Sequence, residues 1–341
     1  MVANRIVVMT GATSGIGANA AARIVAQPDI RLIIGARGGH SGPKGAEVIP
    51  LDLASLASVR TFADDVKKRI GEARIDMLVL NAGIQGSDAK QRTVDGFEPT
   101  FAVNHLAHYL LARLLVPYMA DDGRLVITTS DTHDPAVFSG APKTLDPEVL
   151  AHPDKNRGVR YSAYPASKLC DLLTARSFAT LAKVQPPHIA AIAFNPGLTL
   201  GTGLSRDAPR LLRVLIRIVL PLLSVFKPQF RSGTPERAGE ALAQLTLGEI
   251  YPPAGRVYAS LVRGKLTFPD PSALAQSDEA RDMLWRESAA MVGLPLQTEQ
   301  ERSSSQQGPQ IQGKSWPCTP GGVDWTRTFS EWDNRNRGFE S

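Results

Sequence analysis

The sequence predicts an α/β fold, a doubly wound parallel sheet in a single domain. Two observations carry that expectation. Short apolar runs alternate with helical patterns through most of the chain, and the runs are apolar on both faces, as strands sandwiched between helices must be. With 341 residues, 43% of them hydrophobic, the chain can bury one large core.

Residues 6–9, 32–34, 48–51, 77–80, 125–128 and 189–194 read as strands. Helical patterns fall between them at about 15–26, 55–70, 100–120, 162–183 and 234–246. One crossover lacks a helix. Gly38-Gly39-His40-Ser41-Gly42-Pro43-Lys44-Gly45 follows the second strand, and that composition makes a loop. From about 298 the chain turns rich in Gln, Ser and Gly, before Trp316, Trp325, Phe329 and Trp332 return aromatic weight. The expected organisation is a domain over 1–297 and a polar, solvated tail over 298–341. No internal repeat is visible.

Two cysteines, Cys170 and Cys318, supply no disulfide framework, so a reducing compartment is expected. The opening run Val2-Ala3-Asn4-Arg5-Ile6-Val7-Val8-Met9 resembles a first strand more than a signal sequence. No apolar stretch reaches the ~20 residues of a membrane span. The expected location is cytoplasmic.

The first strand runs into Thr10-Gly11-Ala12-Thr13-Ser14-Gly15-Ile16-Gly17, and an Ala-rich helix follows. Glycines also serve ordinary turns, but a strand–loop–helix setting at the start of a βαβ unit is that of a Rossmann-type dinucleotide loop. Gly11, Thr13, Ser14, Gly15, Ile16 and Gly17 are therefore candidate pyrophosphate binders, helped by the free N–H groups at the helix start. The second strand ends at Arg37, about 20 residues past Gly17, where the residue type reads the ribose 2′ position. An acidic residue there suits NAD. Arginine can pair with the 2′-phosphate of NADP(H), the cofactor expected here. A solvated arginine at a strand end is the plain alternative.

Tyr164-Pro165-Ala166-Ser167-Lys168 opens a long helical pattern. Residues four apart share a helix face, so phenol and ammonium can point into one site. A free tyrosine, with a pKa of ~10, is a poor proton-transfer group near neutrality, and a nearby lysine charge favours the phenolate. Such pairs are common on surfaces; the informative fact is their occurrence together with the phosphate loop.

These motifs resemble those of the short-chain dehydrogenase/reductase family over residues 4–295, in the family's order: Thr10 to Gly17, Asp52-Leu53, Asn81-Ala82-Gly83, Asn104, Ser130, Tyr164 with Lys168, and Pro196-Gly197. The resemblance implies that Tyr164 is the general acid/base, that Ser130 orients the substrate oxygen, and that Lys168 binds the nicotinamide ribose and tunes Tyr164. It implies a relay water at Asn104. Asp52 and Leu53 would flank the adenine, and Asn81, Ala82 and Gly83 would lie beside the cofactor with Pro196 and Gly197. The threonine that usually touches the carboxamide is replaced by Gly201, leaving Thr199 and Thr202 as substitutes. Asn81, Asn104 and Ser130 also have plain readings, as groups satisfying buried backbone or as an ordinary strand-end residue.

Within the family, Val103-Asn104-His105-Leu106-Ala107-His108-Tyr109-Leu110-Leu111 is similar to retinol-dehydrogenase-like and light-dependent protochlorophyllide reductase-like members. Cys170 and the stretch after Pro196 lean to the second group, while Ser130 and the lost crossover helix depart from it. A structural cysteine is the other reading of Cys170. The family's helical substrate lid falls at about 200–232. There Arg206, Arg210, Arg213 and Arg217 form one stripe among aliphatics, so 206–226 suits a packed lid, a substrate's acidic groups, or peripheral contact with a membrane surface.

The expected function is an NADP(H)-dependent oxidoreductase that interconverts a carbonyl and an alcohol on a bulky hydrophobic substrate. Two alternatives stay open: a protochlorophyllide reductase-like double-bond reductase, and a non-catalytic NADP(H)-sensing or -binding protein. The joint set Asn104, Ser130, Tyr164 and Lys168 favours an enzyme. No nucleic-acid partner is expected and no residue is assigned to a metal. Oligomeric state is open, a homodimer included.

Overall fold

The computed structural model describes residues 5–38, 41–86, 91–153, 163–199 and 233–296. Thr202, the 206–226 stripe, Cys318 and the 298–341 tail lie outside the described residues.

The elements run β1 (Arg5–Thr10), α1 (Gly15–Val25), β2 (Ile30–Ala36), β3 (Glu47–Pro50), α2 (Leu56–Ile70) and β4 (Ile75–Leu80). There follow α3 (Pro99–Phe101), a π turn at Ala102–Leu106, α4 (Ala107–Leu115), β5 (Met119–Thr128), α5 (Pro147–Ala151), α6 (Ala163–Leu181) and β6 (Ala190–Asn195). The last described elements are α7 (Pro235–Leu247), β7 (Tyr258–Val262), β8 (Lys265–Thr267), α8 (Ala273–Gln276) and α9 (Asp278–Met291).

The eight strands form one sheet in the order β3-β2-β1-β4-β5-β6-β7-β8. Every pairing is parallel except β7 with β8. The strand order reverses between β1 and β4, where an open α/β sheet leaves a crevice beyond its carboxyl ends.

Alternation along each strand divides the core. Val7 and Met9 face one way, with Leu32, Ile34, Met77, Val79 and Val126, and pack under α1 and α7. Ile6 and Val8 face the other way, with Ile33, Leu78, Leu80, Leu125 and Ile127, under α2, α4, α6 and α9. The strands are thus apolar on both faces because each face is roofed by helices.

Between β2 and β3 no helix forms among the described residues, as the glycine-rich composition predicts. The expected helix over 100–120 proves shorter and broken. It passes through the π turn, its α-helical part ends at Leu115, and Pro117 lies in a short 3-10 turn before β5 begins at Met119. Proline removes a backbone donor and crowds the preceding turn, which ends the helix there. Beyond α7, the β7–β8 hairpin and α9 go past the sequence expectations. Helix α9 packs on α4 and α6 through Trp285, which stacks edge-on with Tyr109 and Phe178 at 5.0 and 5.1 Å between ring centres. No helix among the described residues is long and apolar enough to cross a membrane.

Candidate active site

The carboxyl ends of β1, β4, β5 and β6 converge on the crevice. At β1, Gly11 takes φ +68°, and a Cβ there would lie 2.6 Å from the Ala82 backbone. Glycine is the residue that tolerates both demands. At Gly17 a Cβ would collide with the Gly11 carbonyl oxygen. The loop is thereby drawn tight, and α1 opens at Gly15 with its N-terminal N–H groups toward the crevice. The loop is thus held close against the ends of β1 and β4 at the start of a helix, an arrangement that suits a dinucleotide pyrophosphate. Thr13 is half-buried and Ser14 exposed at its rim.

Asn81 ties three strand ends together. Its Nδ2 donates to the Gly11 carbonyl at 3.0 Å, and its Oδ1 accepts from the Thr128 hydroxyl at 3.0 Å. The Thr10 hydroxyl oxygen accepts from the backbone N–H groups of Asn81 and Ala82. Gly83 lies between Asn104 and Lys168: a Cβ there would sit 3.4 Å from Asn104 Oδ1 and 3.7 Å from Lys168 Nζ.

Asn104 stands in the π turn, a distortion often found at functional sites. Its Oδ1 accepts from Ile84 N at 2.8 Å, and its Nδ2 donates to the Ile84 carbonyl and to Ser167 Oγ, both at 3.0 Å. Both amide hydrogens are committed, so the remaining capacity for a water lies in unused oxygen lone pairs.

Ser130 caps a short 3-10 turn, Asp131–His133, its Oγ accepting from Thr132 N at 3.3 Å. Tyr164 is half-buried in the first turn of α6. Burial raises its phenol above the ordinary tyrosine value, while the Lys168 charge and a hydrogen bond with Ser130 work to lower it. Lys168 Nζ donates to the Thr128 carbonyl at 2.9 Å and to Asp171 Oδ2 at 2.8 Å. Burial works against the ammonium, but Asp171 and Tyr164 more than offset it and the ammonium is held above its usual range. Among the described residues, two of its three hydrogens are spent.

At the end of β6, Gly197 takes φ +68°, with its N–H on Asn195 Oδ1 at 3.0 Å. Thr199 Oγ1 turns back onto the Pro196 and Gly197 carbonyls. A bridge between Thr199 and Gly233 sets the two flanks of 200–232 side by side. Arg37 is exposed just past β2. Exposed Asp52 and half-buried Leu53 follow β3, with Asp52 Oδ1 accepting from Ala54 N at 3.0 Å.

The sequence reading missed several polar neighbours. Asp171 is buried beside Lys168. Burial raises the Asp131 carboxyl, partly countered by Asn195, and His133 stands edge-on to Tyr258 at 5.5 Å. The spacing Tyr164, Lys168, Asp171 along one helix was a signal for the first of these. Cys170 is fully buried in the core, and burial pushes its thiol well above the usual range. That environment is the structural one of the two readings.

The short chain dehydrogenase family model matches residues 5–141. "Dehydrogenase/reductase SDR family member 13" of Bos taurus is 32% identical over 304 residues, covering 85% of this chain and 74% of that protein. "Protochlorophyllide reductase A, chloroplastic" of Hordeum vulgare is 30% identical over 321 residues, covering 85% and 80%. A solved structure of an uncharacterized protein from Mycobacterium Paratuberculosis matches with a TM-score of 0.61 at 27% identity, covering 86% of this chain and 96% of that one. The protochlorophyllide reductase resemblance expected within the family thus has a counterpart among the relatives, and the chain belongs to the short-chain dehydrogenase family of oxidoreductases.

Proposed function

We propose that the protein is an NADP(H)-dependent oxidoreductase that interconverts a carbonyl and an alcohol on a bulky hydrophobic substrate. The observation that carries this reading is the convergence of Tyr164, Ser130 and Lys168 at the switch-point crevice, beside the glycine cradle at Gly11 and Gly17. A bound nicotinamide supplies or accepts the hydride. Tyr164 gives its proton to the substrate oxygen, or takes it in the reverse direction. Ser130 Oγ holds that oxygen, and the third hydrogen of Lys168 holds the nicotinamide ribose. Arg37 pairs with the 2′-phosphate, and Asp52 and Leu53 frame the adenine.

The experiment is turnover of NADPH against a panel of hydrophobic aldehydes and ketones, with Tyr164→Phe as control. A loss of about 100-fold or more is expected with cofactor binding nearly unchanged, because the ring keeps its packing while the proton is gone. Activity within tenfold of wild type removes Tyr164 from the mechanism. Wild-type protein that binds NADPH and turns over nothing in the panel favours a cofactor-binding role.

The double-bond reductase reading draws support from the protochlorophyllide reductases among the relatives. The burial of Cys170 argues against a thiol that reaches substrate.

A further inference from the structure

Tyr164, Lys168 and Asp171 fall at steps of four and three along α6 and so share one face. The Lys168 and Asp171 side chains are 4% and 2% exposed, and their charged atoms are 2.8 Å apart. Cut off from water, this pair presents Tyr164 with two opposed charges rather than one lone cation. Burial is the main influence raising the phenol; of the two charges, Lys168 favours the phenolate and Asp171 disfavours it by less.

We infer that Asp171 is a positioning residue that offsets the field of Lys168 at Tyr164, keeps the phenol protonated above neutral pH, and so extends carbonyl reduction to the alkaline side. The inference rests on Tyr164 being the acid/base of the proposed reaction. In that direction the carbonyl carbon takes a hydride from reduced nicotinamide and the oxygen takes the Tyr164 proton. The phenolate left behind is reprotonated from water.

His105, in the π turn, and His108, on α4, are both held neutral, pushed down to about 3 by burial and by Lys168. Asp131, from the turn after β5, also opposes the phenolate. Cys170 stays a thiol. Helix α3 and strand β6 bring no titratable group. On α9, Asp278 and Arg281 pair with each other, and Asp278 also pairs with Arg176 on α6. Burial raises the Asp171 carboxyl to about 7 against the pull of Lys168, so the carboxylate charge that offsets Lys168 is fully present only above that value.

The test titrates Tyr164 without cofactor, as the difference in tyrosinate absorbance between each protein and its Tyr164→Phe counterpart. Wild type should show no Tyr164 ionisation below pH ~10. Asp171→Asn keeps an oxygen for Nζ but removes the charge, and should bring the ionisation down by about 1 unit or more. The alkaline limb of kcat/KM for carbonyl reduction should move down with it. Wild-type ionisation below pH ~10, or an Asp171→Asn midpoint that stays or rises, overturns the inference. If Asp171→Asn does not fold, the wild-type midpoint alone decides. Retained turnover by Tyr164→Phe would instead sink the proposed reaction, whatever the titration shows.

Discussion

The Thr10 hydroxyl lies 3.0 Å from His108 Nε2 while its oxygen accepts the backbone N–H groups of Asn81 and Ala82. With two N–H donors already on the oxygen, the hydroxyl hydrogen goes to His108. That makes Nε2 the acceptor and places the ring proton on Nδ1, which donates to the Asn104 carbonyl at 3.0 Å. One side chain at the end of β1 thus fixes the loop after β4 and the π turn that carries Asn104.

Thr10→Val keeps the shape and removes this hub. Three polar groups then lose their partner, at about 1–3 kcal/mol for each that stays dry. The expected result is a fall of roughly 2–3 kcal/mol in unfolding free energy by urea titration, with weaker NADPH binding. A change below about 0.5 kcal/mol would show that water replaces the hydroxyl at no cost.

Arg37 should determine cofactor choice. A charge-assisted hydrogen bond of about 1.5–3 kcal/mol corresponds to roughly 10- to 150-fold in affinity. Arg37→Ala should raise the NADPH dissociation constant by that factor and leave NADH nearly unaffected. Equal losses for both cofactors would mean that Arg37 does not read the 2′-phosphate.

Gly83→Ala separates binding from folding. The added methyl would meet Asn104 Oδ1 and Lys168 Nζ only at ordinary contact distances, and the fold should tolerate it within about 0.5 kcal/mol. The methyl occupies the space between the two side chains expected to serve ribose and relay water. Cofactor affinity should therefore fall about tenfold or more at unchanged Tm. A simultaneous collapse of both would make Gly83 a folding residue. Gly17→Ala, whose methyl would strike the Gly11 carbonyl, is expected to lose both.

The strands through β6 and the phosphate loop were legible because parallel central strands are continuous apolar runs and the glycines sit at a strand–helix junction. Strands β7 and β8 were not. Tyr258–Val262 is short, and Lys265–Thr267 is an edge strand whose polar ends resemble a loop. The buried face of α9 is Ala280, Leu284, Ser288 and Ala289, mostly small residues that give little periodic signal. Asp171 was visible as a letter but not as a buried charge, since only the packed helix shows that water is absent there.

Acid should weaken the fold through His105 and His108. Burial is the main cause that depresses both to about 3, with the Lys168 charge adding to it. His105 Nε2 is 2.8 Å from Ser288 Oγ, and its Nδ1 is buried with no partner among the described residues, so protonation would place a bare N–H⁺ in the core. In the unfolded chain both rings titrate near 6.5. A depressed folded pKa means that the native state binds fewer protons, so the stability is fully present above pH ~6.5 and is lost as pH falls toward about 3. At pH ~4.5 the loss is roughly 2–3 kcal/mol per histidine. Asp171 works the other way, since a carboxyl raised to about 7 recovers stability as pH drops through that value. Comparing wild type with His105→Gln/His108→Gln cancels the Asp171 contribution, because both proteins carry it. Urea unfolding at pH ~7.5 and ~4.5 should show wild type losing several kcal/mol more than the double variant between the two conditions. Equal losses in both proteins would mean that the imidazoles take up protons in the folded state and that the site around Lys168 is wetter than its packing indicates.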